Sequence, residues 1–505
     1  MKAKTKLSSK YIYEFYKGLE EKGVENHGLM LVKDGETVFE EYFSPYSQDM
    51  PHTLFSVTKS IVSTAAGFAI SEGLISLDTK LSELFSEYEM CKGDGWSELT
   101  LRSVLTMQSN KEFSFLQDMT GDYVQMFMKA PFRKKKGFLY SNNDAHMVAA
   151  AVERVAGMSL VEYLTPRLFK PLSIEVPFWE TNSQGQCIGG TGCYLKLSDL
   201  VKIMLCYSQG GVYENQQIIP KFWTEEATKI QVDFGGGSGY GYLFWIGEDV
   251  YSMTGMYSQI IAYSSKHNAV IGSMNCGLEE GAHTSLLQNT LIRAFEGECN
   301  EEYDALLSQY LEDRKRNIPV CGKLPEIPQG KTFYLTKLSD KIAKAVFPQS
   351  LIPRTISCSF ARRPKENLNG VSFEVRENEL IINWLEEEDK VKIICGLDGN
   401  PRLSECSIKG YPYKIWAYAY TQGDAVKVEV RPLNTLSTRY ITLSFKGNTL
   451  QLQLEGTPDF KAFLLKNAGE PDFLKKHKAI NAAAMFVVRK FADLLERPLK
   501  LKIKK

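Results

Sequence analysis

Ser56-Val57-Thr58-Lys59 sets a hydroxyl and an amine three residues apart, near the start of the apolar run LFSVTKSIVSTAAGFAI. On a helix these two positions share one face, so their side chains would meet on the first turn. The run is apolar around nearly its whole circumference (Val57, Ile61, Val62, Ala65, Ala66, Phe68, Ala69, Ile70), the mark of a buried helix. A lysine there is costly as an ammonium, because burial disfavours the charged form. With its pKa lowered it could take the proton of the serine, and the positive end of the helix would favour the alkoxide. An N-terminal cap followed by a snorkelling lysine fits the same four residues. Partners elsewhere in the chain must decide.

Two further groups could supply them. In FLYSNNDAH, Tyr140 stands two residues before Asn142 on a loop leading into a helical pattern. A tyrosine beside an ammonium can act as general base for a nucleophile and general acid for a leaving group. An asparagine amide can hold an ester or amide carbonyl through its donors and acceptor. In VYSMTGMYSQIIAYSS, Thr254-Gly255-Met256 falls within strand-like sequence, and glycine lets a ligand approach a strand backbone closely. The amides of Met256 and Ser56 could then form an oxyanion hole. A glycine bulge in an edge strand is the purely structural alternative.

The elements that must position these groups separate into regions. GLMLVKDGETVFEEYF reads as a hairpin turning at Lys33-Asp34-Gly35, before the buried helix. DAHMVAAAVERVAG is helical and ends at Gly157. Strands return at 239–246 and 259–274, and HTSLLQNTLIRAFEG closes a domain spanning 1–300. Residues 301–330 are charged and then proline-containing, which suits a linker. From 331 to 466 short strands dominate (VSFEV, YKIWAYAY, VKVEVRP, YITLSFKGNTLQLQLEG), pointing to a sandwich or barrel. Residues 467–505 read as a helix with apolar spacing at Ile480, Ala484, Val487, Phe491 and Leu494, followed by the basic tail LKLKIKK.

Composition narrows the partners. Lys and Arg number 60 and Asp and Glu 60, so no global field draws nucleic acid. No apolar stretch approaches the roughly 20 residues that span a bilayer, and stable membrane insertion is not expected. The N-terminus lacks a signal-like apolar core, making cytoplasmic residence the expectation. Ten cysteines lack a C-x-x-C pair and six histidines lack H-E-x-x-H. Neither a metal site nor a cofactor is expected. No feature points to an oligomeric state.

The order Ser56-x-x-Lys59, Tyr140-x-Asn142, Met253-Thr254-Gly255 resembles the serine β-lactamase and penicillin-binding-protein superfamily. It is most similar to class C β-lactamase-related hydrolases of the esterase and 6-aminohexanoate-dimer hydrolase type. HTLFSVTKSIVSTAAGFAISEGLISLDTKLSELF is similar to the serine helix of that family and its Gly-x-Leu-x-Leu-Asp turn. LTLRSVLTMQSN resembles another of its segments, with Asn110 where glycine is usual, and RLFKPLSIE and GGTGCYLKLSDLVKIMLCYSQGGVYENQQIIP extend the likeness. The resemblance implies an α+β, β-lactamase/transpeptidase-like fold over 1–300: an antiparallel sheet flanked by helices, plus a helical subdomain. It implies an acyl-enzyme on Ser56, with Lys59 activating it, Tyr140 as general acid/base and Asn142 positioning the substrate. The oxyanion amides would be those of Ser56 and Met256, on the segment Met253-Thr254-Gly255-Met256. No cofactor is implied.

Met253 departs from the pattern, since many relatives carry Lys or His there. A charge-assisted hydrogen bond to a substrate carboxylate contributes about 1.5–3 kcal/mol, so its loss weakens recognition by roughly one to two decades. The expectation is therefore a small-molecule amide or ester with an uncharged acyl group. β-Lactamase or D-alanyl carboxypeptidase activity is the alternative within the class, and a silent binding protein on the same fold is the alternative outside it.

Overall fold

A computed structural model describes residues 7–112, 122–277, 285–297, 300–314, 317–335, 351, 368–386, 389–408, 410–457 and 498–503. The elements around the site, in chain order, begin with helix α1 (Ser9–Glu21) and strands β1 (Glu25–Lys33) and β2 (Glu36–Tyr42). Helices α2 (Thr58–Ser71), α3 (Asn142–Ala156) and α4 (Leu197–Ser208) follow. Strands β3 (Val232–Gly235), β4 (Ser238–Tyr240), β5 (Trp245–Ile246), β6 (Val250–Gly255), β7 (Gln259–Ser264) and β8 (Ala269–Cys276) come next, then helix α5 (Glu301–Asp313). β1 and β2 turn through Asp34 (φ 52°) and Gly35 (φ 82°), the left-handed pair that a two-residue hairpin loop requires.

Two compact units result, Met1–Lys315 and Arg316–Lys505. In the first, eight strands pair antiparallel in the order β2-β1-β8-β7-β6-β5-β4-β3. Alternation of side chains along a strand decides which face each residue serves. Leu29, Leu31, Ile260, Ala262 and Ile271 join Ile12, Phe15, Tyr16 and Leu19 of α1 in one apolar cluster. Val32, Ile261, Val270 and Met274 instead join a larger core with Leu200, Val201 and Met204 of α4 and the apolar side chains of α2 and α3. That larger core is the floor on which the serine helix lies.

The stretch 301–330, expected as a linker, begins with helix α5 instead. The Asn300 side chain caps it, accepting from the amides of Glu302 and Tyr303 at 2.9 and 3.4 Å. Acidic Glu301, Glu302 and Asp304 in its first turn suit the helix dipole. Tyr310 stacks on Tyr16 of α1, with centroids 5.4 Å apart. High charge masked that narrow apolar stripe.

Among the described residues the second unit forms a ten-stranded sheet whose one edge strand pairs back, at Gly396 with Tyr418 in parallel, onto the strand beside the other edge, making it barrel-like. The tail expected as a solvated extension is its strand Leu499–Ile503, paired with Thr449–Thr457 and Phe333–Leu335. Leu499 and Leu501 are buried while Lys500 and Lys502 face outward, so period two outweighs the net basic charge. The expected C-terminal helix lies outside the described residues. No helix among the described residues is long and apolar enough to cross a membrane.

Candidate active site

Ser56 sits on a short 3-10 turn, Phe55–Val57, that runs into α2. The turn is possible because Phe55 adopts a left-handed φ of 47°, a conformation costing about 1–3 kcal/mol for a residue of this kind. Its ring is buried and meets the Tyr257 ring edge-on at 5.2 Å. Tyr257 is left-handed too, at φ 64°, just after β6. Two strained residues from separate segments therefore hold each other, and with them the backbone on either side of the serine.

Lys59 is 1% exposed. Its Nζ lies 2.7 Å from Ser56 Oγ, 2.7 Å from Asn142 Oδ1 and 2.8 Å from the Gly190 carbonyl. Burial lowers the amine from 10.5 to about 7. The two carbonyl oxygens can only accept, so each takes an N–H whatever the charge. In the neutral amine the lone pair is then left for the Ser56 hydroxyl. That arrangement suits proton abstraction from serine.

Tyr140 brings the opposite perturbation. Although the residue is 37% exposed, desolvation raises its hydroxyl to about 12, with a hydrogen bond to Ser56 acting the other way. Lys59 Nζ is 4.9 Å from the Tyr140 ring centroid. At neutral pH the tyrosine keeps its proton while the lysine can lose one.

Local sequence explains how Tyr140 and Asn142 are held. Asn142 is the first residue of α3, and Ser141 caps the helix by accepting from the amides of Asn143 and Asp144, each at 3.2 Å. Asp144 is fully buried, with its carboxyl raised to about 7 by burial, and accepts from Ser109 Oγ at 2.8 Å. The amide of Leu139 donates to the Met107 carbonyl at 2.9 Å. Asn110 is left-handed (φ 56°), as asparagine tolerates, and its Oδ1 accepts from the Gly137 amide at 2.8 Å. Asparagine at this position thus supports the turn and adds a tether to the Tyr140 loop.

The third segment arrives on β6. A Cβ on Gly255 would lie 2.5 Å from the Leu54 carbonyl oxygen, so glycine is what lets the strand touch the backbone before Ser56. Met256 opens the next 3-10 turn, Met256–Ser258. Its amide and that of Ser56 both belong to first turns, which provide them no partner within their own helix. Thr254 is half-buried. Met253, expected to face the substrate, shares a strand face with Gly255; its side chain is 1% exposed and packs into the large apolar core.

Ser56, Lys59, Tyr140 and Asn142 are therefore brought into one connected cluster. Sequence reading did not single out the Gly190 carbonyl, the Phe55–Tyr257 contact, the Asp144–Ser109 pair or Trp245, which stacks on Tyr140 at 5.5 Å. The small-residue run GGTG was the one signal for Gly190, since so compact a segment suits close approach to a helix.

A profile of the β-lactamase family matches residues 15–275, more than half of the chain. The chain belongs to the β-lactamase family. Among relatives of that family, a 6-aminohexanoate-dimer hydrolase of Paenarthrobacter ureafaciens is 25% identical over 222 residues, 39% of this chain and 55% of that protein. The chain thus matches about half the length of this relative. Two solved structures share the fold. One, from Bacillus anthracis and classed as a 6-aminohexanoate-dimer hydrolase, has a TM-score of 0.50 at 19% identity, over 56% of this chain and 81% of its own. The other, from Bacteroides dorei and classed as a β-lactamase, has a TM-score of 0.51 at 14% identity, over 58% of this chain and all of its own. The β-lactamase-family match ends within the first unit, which carries the whole serine–lysine–tyrosine cluster.

Proposed function

We propose that the chain is a serine hydrolase that cleaves an amide or ester of a small substrate with an uncharged acyl group, through an acyl-enzyme on Ser56. The observation that carries this is the buried Lys59 amine, lowered to about 7 and 2.7 Å from Ser56 Oγ, with its other contacts fixed by two carbonyls. Neutral Lys59 takes the Ser56 proton as Oγ attacks the substrate carbonyl carbon. The resulting oxyanion accepts from the amides of Ser56 and Met256. Collapse breaks the bond to the leaving amine or alcohol, which receives a proton from the Tyr140 hydroxyl. The Lys59 ammonium then restores the tyrosine proton. In deacylation, water attacks the ester, its proton passes to the same pair of groups, and Ser56 leaves with a proton as the acid departs. Asn142 holds Lys59 and offers its amide donors to the substrate carbonyl side.

The pKa values divide the labour: a group near 7 is suited to act as base, and one near 12 as acid. Substrates anchored by a carboxylate are disfavoured because the position that supplies a cation in many relatives is the buried Met253. The test is covalent. A fluorophosphonate should add once to the wild-type protein and not to Ser56→Ala, as read by intact mass. No adduct on the wild type between pH 6 and 9 would refute the hydrolase reading and favour a binding protein on the same fold.

A further inference from the structure

The ring of Tyr140 does not end in solvent. It stacks on Trp245 at 5.5 Å and 25°, and Phe138 meets Phe234 edge-on at 4.9 Å and Tyr240 at 5.2 Å. Tyr240 in turn packs against Trp245 at 4.9 Å. These rings come from two separate parts of the chain, the loop before α3 and the β3–β4–β5 edge of the sheet. Tyr240 is buried and anchors the group, whereas Phe234 is 45% exposed and Tyr140 37% exposed. Exposed apolar rings that adjoin one another beside a reactive group form the kind of contiguous patch that marks a binding groove. Here the part-exposed rings adjoin the Tyr140 ring, which lies 4.9 Å from the Lys59 amine that bonds Ser56.

We propose that these rings form an aromatic shelf that binds the leaving-group side of the substrate, selecting amines or alcohols that carry a flat apolar or aromatic group. The assignment rests on the acyl-enzyme reading above. In that reaction Tyr140 protonates the departing heteroatom, so the part of the substrate beyond that atom lies along the Tyr140 ring and reaches Trp245 and Phe234. The acyl side lies toward the Ser56 and Met256 amides. Aromatic pairs of this kind prefer offset or edge-on contact at the spacings the shelf already uses internally, and an incoming ring would extend the same packing.

Benzyl and methyl butyrate separate this selection from chemical reactivity, since they share one acyl group and their alcohols have closely similar basicity. The full chain should hydrolyse the benzyl ester with a kcat/KM about tenfold higher or more. In Phe234→Ala and in Trp245→Leu the benzyl-to-methyl ratio should fall at least about threefold. Because the ratio is read within one preparation, any loss of folded protein cancels. Ser56-dependent hydrolysis of both esters with a wild-type ratio near one, or a ratio unchanged in both variants, overturns the shelf and leaves the hydrolase reading standing. Absence of both hydrolysis and Ser56 labelling overturns the two together.

Discussion

Replacing Lys59 by methionine interrogates the buried amine through stability as well as catalysis. The ammonium has a pKa of 10.5 in an exposed setting and about 7 in the fold. Above the higher value the amine is neutral in both folded and unfolded chains, and below the lower it is charged in both. Between them only the unfolded chain holds the proton, so stability rises with pH by up to about 1.4 kcal/mol per unit. Over the whole interval the cost of burying the charged amine is about 5 kcal/mol, and from pH 7 to 9 the wild type should regain about 2–3 kcal/mol. Methionine fills a similar volume and does not titrate. Its loss of donors to Asn142 and Gly190 shifts stability by the same amount at every pH, so the difference in slope isolates the amine. Urea unfolding of both proteins at pH 6.5 to 9.5 measures it. The same ionisation should govern catalysis: fluorophosphonate labelling of wild-type Ser56 should rise about tenfold per pH unit below about 7 and level off above it. Parallel stability curves for the two proteins, or labelling that stays flat from pH 5.5 to 8.5, would refute the reasoning.

Asp144 titrates with the opposite sign. Its carboxyl is raised from 3.8 to about 7 in the fold, so the folded chain binds the proton more tightly and stability falls as pH rises through that window. Asp144→Asn keeps an oxygen for Ser109 and removes the charge. Relative to wild type it should gain about 2–4 kcal/mol between pH 4 and pH 8, read by the same urea titration, and equal slopes would refute the buried-carboxyl account. Gly255→Ala puts a Cβ 2.5 Å from the Leu54 carbonyl oxygen, a contact with backbone that only strand displacement can relieve. With the Met256 amide drawn away from the serine, labelling should slow by roughly 10²-fold while far-ultraviolet circular dichroism is retained. Labelling within a factor of two of wild type would separate that amide from the reaction.

Much of the site was legible in the chain because its chemistry is carried by short local patterns. A serine three residues before a lysine, opening a run that is apolar all round, already demands a buried amine. The hairpin at Asp34-Gly35 and the helix after Ser141 followed from turn and cap chemistry of the same local kind. Legibility failed where a residue's role depends on what lies across the fold. The charged segment at 301–313 reads as linker until α1 supplies an apolar face for Leu307 and Tyr310. LKLKIKK reads as a tail until two strands offer their edges, at which point its alternating leucines decide its place. Met253 reads as a strand residue beside the site, and only the fold shows its side chain closed into the large apolar core.

The sequence by itself determined the reactive groups, their order and the buried helix that makes a low-pKa lysine affordable. Tertiary structure decided their protonation and their company. Desolvation depends on which surfaces close over a side chain, and that pushes Lys59 down to about 7 and Tyr140 up to about 12. The Gly190 carbonyl, the left-handed Phe55 locked against Tyr257, and the aromatic faces beside Tyr140 come from segments far apart in the chain. Their contribution exists only as distance and orientation, which no spacing along a sequence encodes.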